Sequence, residues 1–262
     1  MYNQVNIRDI LDLKGKTAFV TGAAAGIGEG IVRRLHEAGA NVVAADINQE
    51  RADAVADELN HKRPESAISY AFDVGVAHEV NQAFEHAIQH FGAVDILVNN
   101  AGIYPFVTLA DMTEEIFEKT INTNLKSVFL CTKVATDHMK ATHNKGKVIN
   151  ITSIDAIHPS MAGLAHYDAS KHGEWGFTKN VALELAPFGI NVNAIAPGAI
   201  STPGTQGITV NPAAMEQMIS RIPMARMGEA DEIAKAVLFL ASDLSSYMTG
   251  EQIVVDGGRL LG

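Results

Sequence analysis

The chain has 262 residues, 47% apolar and 19% charged, and its 30 acidic against 20 basic side chains give a formal net charge of -10. That length and composition suit a large buried core, and the acidic balance without a basic run excludes nucleic acid or an anionic membrane as the main partner, which leaves small-molecule chemistry. Cys131 stands alone and cannot close an intrachain disulfide, and the opening MYNQVNIRDILDLKGK lacks the basic segment and apolar core of a leader, so the expected compartment is the cytoplasm.

Seven short apolar or β-branched runs follow one another along the chain: TAFVTG, NVVAADI, AISYAFDV, VDILVNNAG, KVINITS, INVNAIAPG and EQIVVDGG. Amphipathic segments of helix length separate them, and several runs lack strict alternation, as strands covered on both faces do. The expected fold is a single α/β domain over 1–262: a Rossmann-type doubly wound parallel sheet of about seven strands with helices on both faces.

The first βαβ unit, 12–46, carries TGAAAGIGEGIVRRL between strand and helix. Gly22, Gly26 and Gly28 allow a tight turn, and the helix start after it offers unpaired N–H groups and a positive dipole end to a pyrophosphate. The same turn also suits ordinary strand-to-helix packing; the second strand decides between the two. It ends at Asp46, eighteen residues after Gly28, where a carboxylate accepts hydrogen bonds from an adenosine ribose and repels a 2′-phosphate. Ala25 and Ile47 bring no basic counter-charge, so the expected cofactor is NAD rather than NADP.

Further along, Asp95 in FGAVDILVNNAG reads as support for the turn before a strand, and Cys131 in SVFLCTKVA as a buried structural residue. In AHYDASKHG, Tyr167 and Lys171 stand four apart and share a helix face. They form either a chance pair on a solvated face or a proton-exchanging pair in which the cation lowers the phenol's pKa. His166 beside them is expected at a helix start without a catalytic task. The stretch 199–215 has no charged residue and is rich in Gly, Pro and Thr; it opens an expected substrate loop, 199–226. The ten histidines suggest no catalytic metal.

The ordered set TGxxxGIG (21–28), NNAG (99–102), Ser153 after VINIT, YxxxK (167–171), PG (197–198) and a closing VDGG (255–258) resembles the short-chain dehydrogenase/reductase family over essentially the whole chain from Leu13. The resemblance implies a nicotinamide-dependent oxidoreductase assembled as a homotetramer. It implies Tyr167 as general acid/base, Lys171 as the residue that lowers its pKa and binds the nicotinamide ribose, and Ser153 as the donor to the substrate oxygen. Asn124 matches the asparagine that holds a water linking Lys171 to solvent. Cofactor contacts carry over to Gly22, Gly26, Ile27, Gly28, Asp46, Tyr167 and Lys171. Asp73 and Val74 match the pair flanking adenine; Asn100, Ala101 and Gly102 match the end of the fourth strand beside the adenosine ribose. Pro197, Gly198, Ile200 and Thr202 match the segment that meets the carboxamide.

One departure from the family pattern is spacing. Ser153 lies fourteen residues before Tyr167 where thirteen is usual, and Ile154 occupies the thirteenth place. An extra loop residue accommodates this, because Ile154 has no hydroxyl and Thr152 faces the other side of the strand. Ile103, Tyr104, His158, Met161 and 199–215 are expected to line the substrate pocket. Without Lys or Arg in 199–215, the expected substrate is a neutral secondary alcohol or ketone such as a polyol, sugar or cyclic alcohol. The alternatives are a 3-oxoacyl thioester reductase of the same fold, or a non-catalytic NAD-binding regulator.

Overall fold

The structure, a computed structural model, describes residues 6–205 and 212–261, with the side chains of 212–214 outside that description. Residues 206–211 of the expected substrate loop therefore lie outside the described residues. All seven predicted runs form strands of one parallel sheet: β1 (Thr17–Thr21), β2 (Asn41–Asp46), β3 (Ala67–Ala71), β4 (Ile96–Asn99), β5 (Lys147–Ile151), β6 (Asn191–Pro197) and, after a two-residue ribbon of β7 (Ile200–Ser201) and β8 (Gly228–Glu229), β9 (Gln252–Val255).

The order across the sheet is β3-β2-β1-β4-β5-β6-β9. The chain grows outward from β1 in one direction and from β4 in the other, so a crevice opens beyond the carboxyl ends of these two strands, where ligands bind in open α/β sheets. The helices are α1 (Ile7–Leu11), α2 (Gly26–Glu37), α3 (Gln49–Lys62), α4 (Ala77–Phe91), α5 (Glu114–Ile121), α6 (Ser127–Ala141), α7 (Ala165–Leu185), α8 (Pro212–Ser220) and α9 (Ala230–Ala241). Among the described residues no helix is long and apolar enough to cross a membrane.

Alternation along each strand divides the core in two. Ala18, Val20, Val42 and Ala44 face α2 and α9, where they meet Ile31, Leu35, Ile233 and Val237. Phe19, Val43 and Leu97 face α4 and α6 and meet Phe84, Ala87, Cys131 and Met139, with the Phe19 and Phe84 rings stacked at 4.1 Å. Burial pushes the Cys131 thiol up to about 12, the inert state expected of a core cysteine. Asp95 supports strand ends, as its position in the sequence suggests: it accepts from Thr17 N at 2.8 Å and from Asn144 Nδ2 at 2.9 Å.

Polar side chains cross the middle of the sheet. Asn99 Nδ2 donates to Asn150 Oδ1 at 2.8 Å, Asn150 Nδ2 donates to Thr178 Oγ1 at 2.8 Å, and Thr178 Oγ1 donates to Glu174 O at 2.8 Å. This chain ties β4 and β5 to α7, whose buried residues His166, Ser170, Lys171, Glu174, Thr178, Ala182 and Leu185 are polar over the first five. An apolar periodicity reading passes over such a face, because a mostly polar stripe raises no helical hydrophobic signal.

Candidate active site

At the carboxyl end of β1 the backbone makes the site. Gly22 and Gly26 adopt φ of 64° and 58°, and a Cβ on Gly28 would come within 2.0 Å of the Gly22 carbonyl oxygen. Only glycine closes this turn. Helix α2 starts at Gly26 after Ala25, which gives no side-chain cap, so the first-turn N–H groups point into the crevice with the positive end of the helix dipole. Asn100 braces the turn from β4, donating through Nδ2 to Thr21 O at 2.9 Å and Gly22 O at 3.0 Å.

Asp46 ends β2 beside the same turn. Its Oδ2 accepts from Ala24 N at 3.0 Å and its Oδ1 from Asn48 N at 2.9 Å, which fixes the carboxylate while leaving acceptor capacity. Val74 is buried and Asp73 exposed after β3, with Asp73 Oδ1 taking Gly75 N at 2.8 Å. Thr202 lies against Gly26, where an added Cβ would meet its side chain at 3.2 Å, so the segment after β6 closes over the glycine turn. A glycine cradle, free helix N–H groups and an acidic acceptor one strand away form a donor and acceptor set that fits a dinucleotide.

Side chains make the other end. Strand β5 stops at Ile151, two residues before the sequence reading ended it, and Ser153 caps a short 3₁₀ turn, Ile154–Ala156. Ser153 Oγ donates to Asp155 Oδ2 at 3.0 Å and accepts from Asp155 N at 3.1 Å, while Asp155 Oδ1 takes Ser160 N at 2.7 Å. Ser153 also shares a hydrogen bond with the Tyr167 phenol, so the longer loop brings the two hydroxyls together. Thr152 faces away from them, bonded to Ile195 O and Gln252 Oε1. Tyr104 stands edge-on to Tyr167 at 6.0 Å and hydrogen-bonds Thr202.

Lys171 is buried, with Nζ 5.9 Å from the centre of the Tyr167 ring. It donates to Ile151 O at 2.8 Å and to Glu174 Oε2 at 2.7 Å. The Lys171 charge therefore faces a carboxylate as well as the phenol. Burial holds Tyr167 above its ordinary value; the Ser153 bond pulls it down, and the charges of Asp155 and Glu174 push it further up. Glu174 escaped the sequence reading: it lies on the face shared by Tyr167 and Lys171, one turn past the YxxxK pattern, and nothing in the pattern itself calls for a carboxylate there.

Asn124 lies in a π-helical turn, Asn122–Lys126, between α5 and α6. Its Oδ1 accepts from Ile103 N at 2.8 Å, and its Nδ2 donates to Ile103 O at 2.8 Å and Ser170 Oγ at 3.1 Å. The amide thus pins the loop after β4 to α7. π-bulges of this kind often accompany functional sites.

A cavity of about 640 Å³ joins the two ends, running from Ile27, Asn100 and Gly102 past Ser153, Tyr167 and Lys171 to Pro197, Gly198, Ile200 and Thr202. Tyr104, Met161 and Met215 line it as expected, and Phe106 and Met218 add apolar wall. Ile103 is engaged through its backbone with Asn124, and His158 lines a smaller neighbouring cavity. Arg221 and Arg259 reach the main cavity, so cations absent from 199–215 arrive from beyond it. Arg221 falls within the expected loop 199–226 but past its uncharged part, and Arg259 comes from the far end of the chain.

His166 does start α7, fully buried with neither ring nitrogen hydrogen-bonded. His86 and His90 stand four apart on exposed α4 positions, but among the described residues no three His, Cys, Asp or Glu side chains form a group that could hold a metal ion.

A family model described as Enoyl-(Acyl carrier protein) reductase matches residues 22–259. The 3-oxoacyl-(acyl-carrier-protein) reductase FabG of Thermotoga maritima is 40% identical over 249 residues, 95% of this chain and 99% of that protein. Among solved structures, a short-chain type dehydrogenase/reductase from Mycobacterium marinum superimposes with a TM-score of 0.92 at 35% identity, covering 97% of this chain and 99% of the other. A gluconate 5-dehydrogenase from Burkholderia cenocepacia in complex with NADP and tartrate has a TM-score of 0.92 at 33% identity, with 97% and 99% covered.

Proposed function

The chain belongs to the short-chain dehydrogenase/reductase family of nicotinamide-dependent oxidoreductases acting on CH–OH and keto groups, and we propose that it moves a hydride between NAD and a secondary alcohol or ketone of the polyol or sugar type. The reading rests on one observation: a single cavity runs from Ile27 at the start of α2 and Asn100 after β4 to the Ser153–Tyr167–Lys171 cluster.

The bound nicotinamide supplies the hydride acceptor or donor. Gly22, Gly26, Ile27 and Gly28 would hold the diphosphate, Asp46 and Asn100 to Gly102 the adenosine ribose, Asp73 and Val74 the adenine, and Pro197 to Thr202 the carboxamide. Lys171 binds the nicotinamide ribose. Ser153 donates to the substrate oxygen and stabilises the charge that develops on it. In oxidation the Tyr167 phenolate takes the alcohol proton as the C–H electron pair leaves with its hydrogen; in reduction the phenol gives the proton back. Asn124 holds the ribose-side loop and α7 together, and the water relay of the family passes beside it.

NAD is favoured by Asp46, whose carboxylate repels a 2′-phosphate at short range. A second reading has its own support. Arg221 and Arg259 at the cavity wall suit a substrate with an anionic end, such as a sugar acid or a carrier-bound 3-oxoacyl thioester. The homotetramer and the cytoplasm accompany either reading.

Titration of protein fluorescence with NADH and NADPH, followed by a dehydrogenase screen of neutral polyols, sugar acids and 3-oxoacyl thioesters, tests the proposal. Tighter NADH binding with turnover on neutral alcohols is the expected result. NADPH preference with turnover on thioesters alone would replace it.

A further inference from the structure

The acid/base step uses Tyr167, Lys171 and Ser153 and leaves one buried charge unemployed. Glu174 sits one turn beyond Lys171 on α7, fully buried, with Oε2 2.7 Å from Lys171 Nζ and Oε1 without a hydrogen-bond partner. Burying two such charges costs several kcal/mol per ion before their attraction offsets it, so the pair is weak as a stabilising device. Along the same buried face Ser170 and Thr178 are neutral, and Lys171 is the one buried charge that Glu174 faces there. The carboxylate therefore answers the lysine rather than the packing.

We propose that Glu174 is a positioning residue for proton transfer: its carboxylate anchors the Lys171 ammonium beneath Tyr167 and offsets part of its charge there, so the pair together sets how tightly the phenol holds its proton. This rests on the reading of Tyr167 as the acid/base. Lys171 is held from two sides, by Ile151 O from the sheet and by Glu174 from its own helix, which leaves its remaining donor for the cofactor ribose.

The groups around the phenol are few. Asp155 comes from the turn after β5 and Tyr104 from the loop after β4, while β6 brings only the neutral Asn191 and Asn193. Lys126 in the π turn and Glu114, Glu115, Glu118 and Lys119 on α5 are exposed. On α7, buried His166 and the half-exposed Asp168 complete the set. Burial pushes the Glu174 carboxyl up to about 7 against the opposing pull of Lys171, so its charge changes within an accessible range.

The test is a carbon-13 NMR titration of the whole protein, labelled at the tyrosine ring carbon bearing oxygen and at glutamate carboxyls, from about pH 5 to about pH 9. The Tyr167 signal is assigned by its loss in Tyr167→Phe and the Glu174 signal by its loss in Glu174→Gln. In the wild type the Tyr167 signal should shift with the midpoint of Glu174, and the shift should vanish in Glu174→Gln. A Tyr167 signal flat across that range, or one that moves identically in Glu174→Gln, overturns the proposal. If Glu174→Gln does not fold, Glu174→Asp supplies the assignment, and co-titration in the wild type decides by itself. On an alcohol found by the screen, Glu174→Gln should also move the acidic limb of kcat, where the phenol must lose its proton, down by about one pH unit. Full turnover by Tyr167→Phe would instead defeat the acid/base reading, a result distinct from loss of the NMR coupling.

Discussion

The two ends of the cavity are built from different materials. At the nucleotide end, backbone shape does the work: two left-handed glycines, a third with no room for a Cβ, and free N–H groups at the start of α2. At the catalytic end, buried side chains hold one another: Ser153 with Asp155, Lys171 with Glu174, and Asn124 with Ile103 and Ser170. A backbone site loses ligand when it is filled, whereas a side-chain site loses chemistry when one group is cut. Changes at the first end should therefore appear as lost binding and changes at the second as lost turnover.

The sharpest way to break that contrast is Tyr167→Phe. It removes one oxygen, and turnover should fall by about 10²–10⁴-fold while NADH affinity, measured by fluorescence, stays within about threefold. A comparable loss of affinity would mean that the Tyr167 hydroxyl itself carries cofactor binding and not the proton alone. Next comes Gly28→Ala, whose new Cβ meets the Gly22 carbonyl at 2.0 Å and forces the turn open. NADH affinity should drop by roughly 100-fold or more, in keeping with a diphosphate that loses several aligned N–H donors. Unchanged affinity would show that the cradle tolerates side chains and that the comparison fails at its first term.

The smallest effect sharpens the comparison through stability. The folded-state pKa of Glu174 is raised from 4.5 to about 7, so the fold favours its protonated form. Its contribution is present below 4.5 and is lost as pH rises through 7. Glu174→Gln carries no such loss. Across that window the melting temperature of the wild type should fall relative to the variant, by several degrees or more. A constant difference between the two proteins would place the burden of the pair elsewhere.

How legible each end was in the sequence follows from the same contrast. Glycine spacing, the strand ending at Asp46 and the order of seven apolar runs are local signals, and all seven runs became strands of one sheet. Tyr167 and Lys171 announced themselves through spacing and family resemblance. Their electrostatic setting did not, because it depends on Asp155 from a neighbouring turn and on Glu174, whose burial is decided by what packs against that face of α7. Helix α7 buries polar residues along its inner stripe, so the pattern that marks core positions elsewhere is missing there. Arg221 and Arg259 join the pocket from segments far apart in sequence, and 206–211 lie outside the described residues.

The amide and hydroxyl chain Asn99–Asn150–Thr178 across the centre of the sheet carries a further consequence. It indexes α7 against β4 and β5 much as a key indexes a shaft: a slip of one residue would carry Tyr167 about 1.5 Å along its axis and leave three buried polar groups unmatched. The segments that line the cavity after β5 and after β6 hang outside that lock. Such a frame lets the outer segments diversify, one substrate after another, while the reacting oxygen keeps its address.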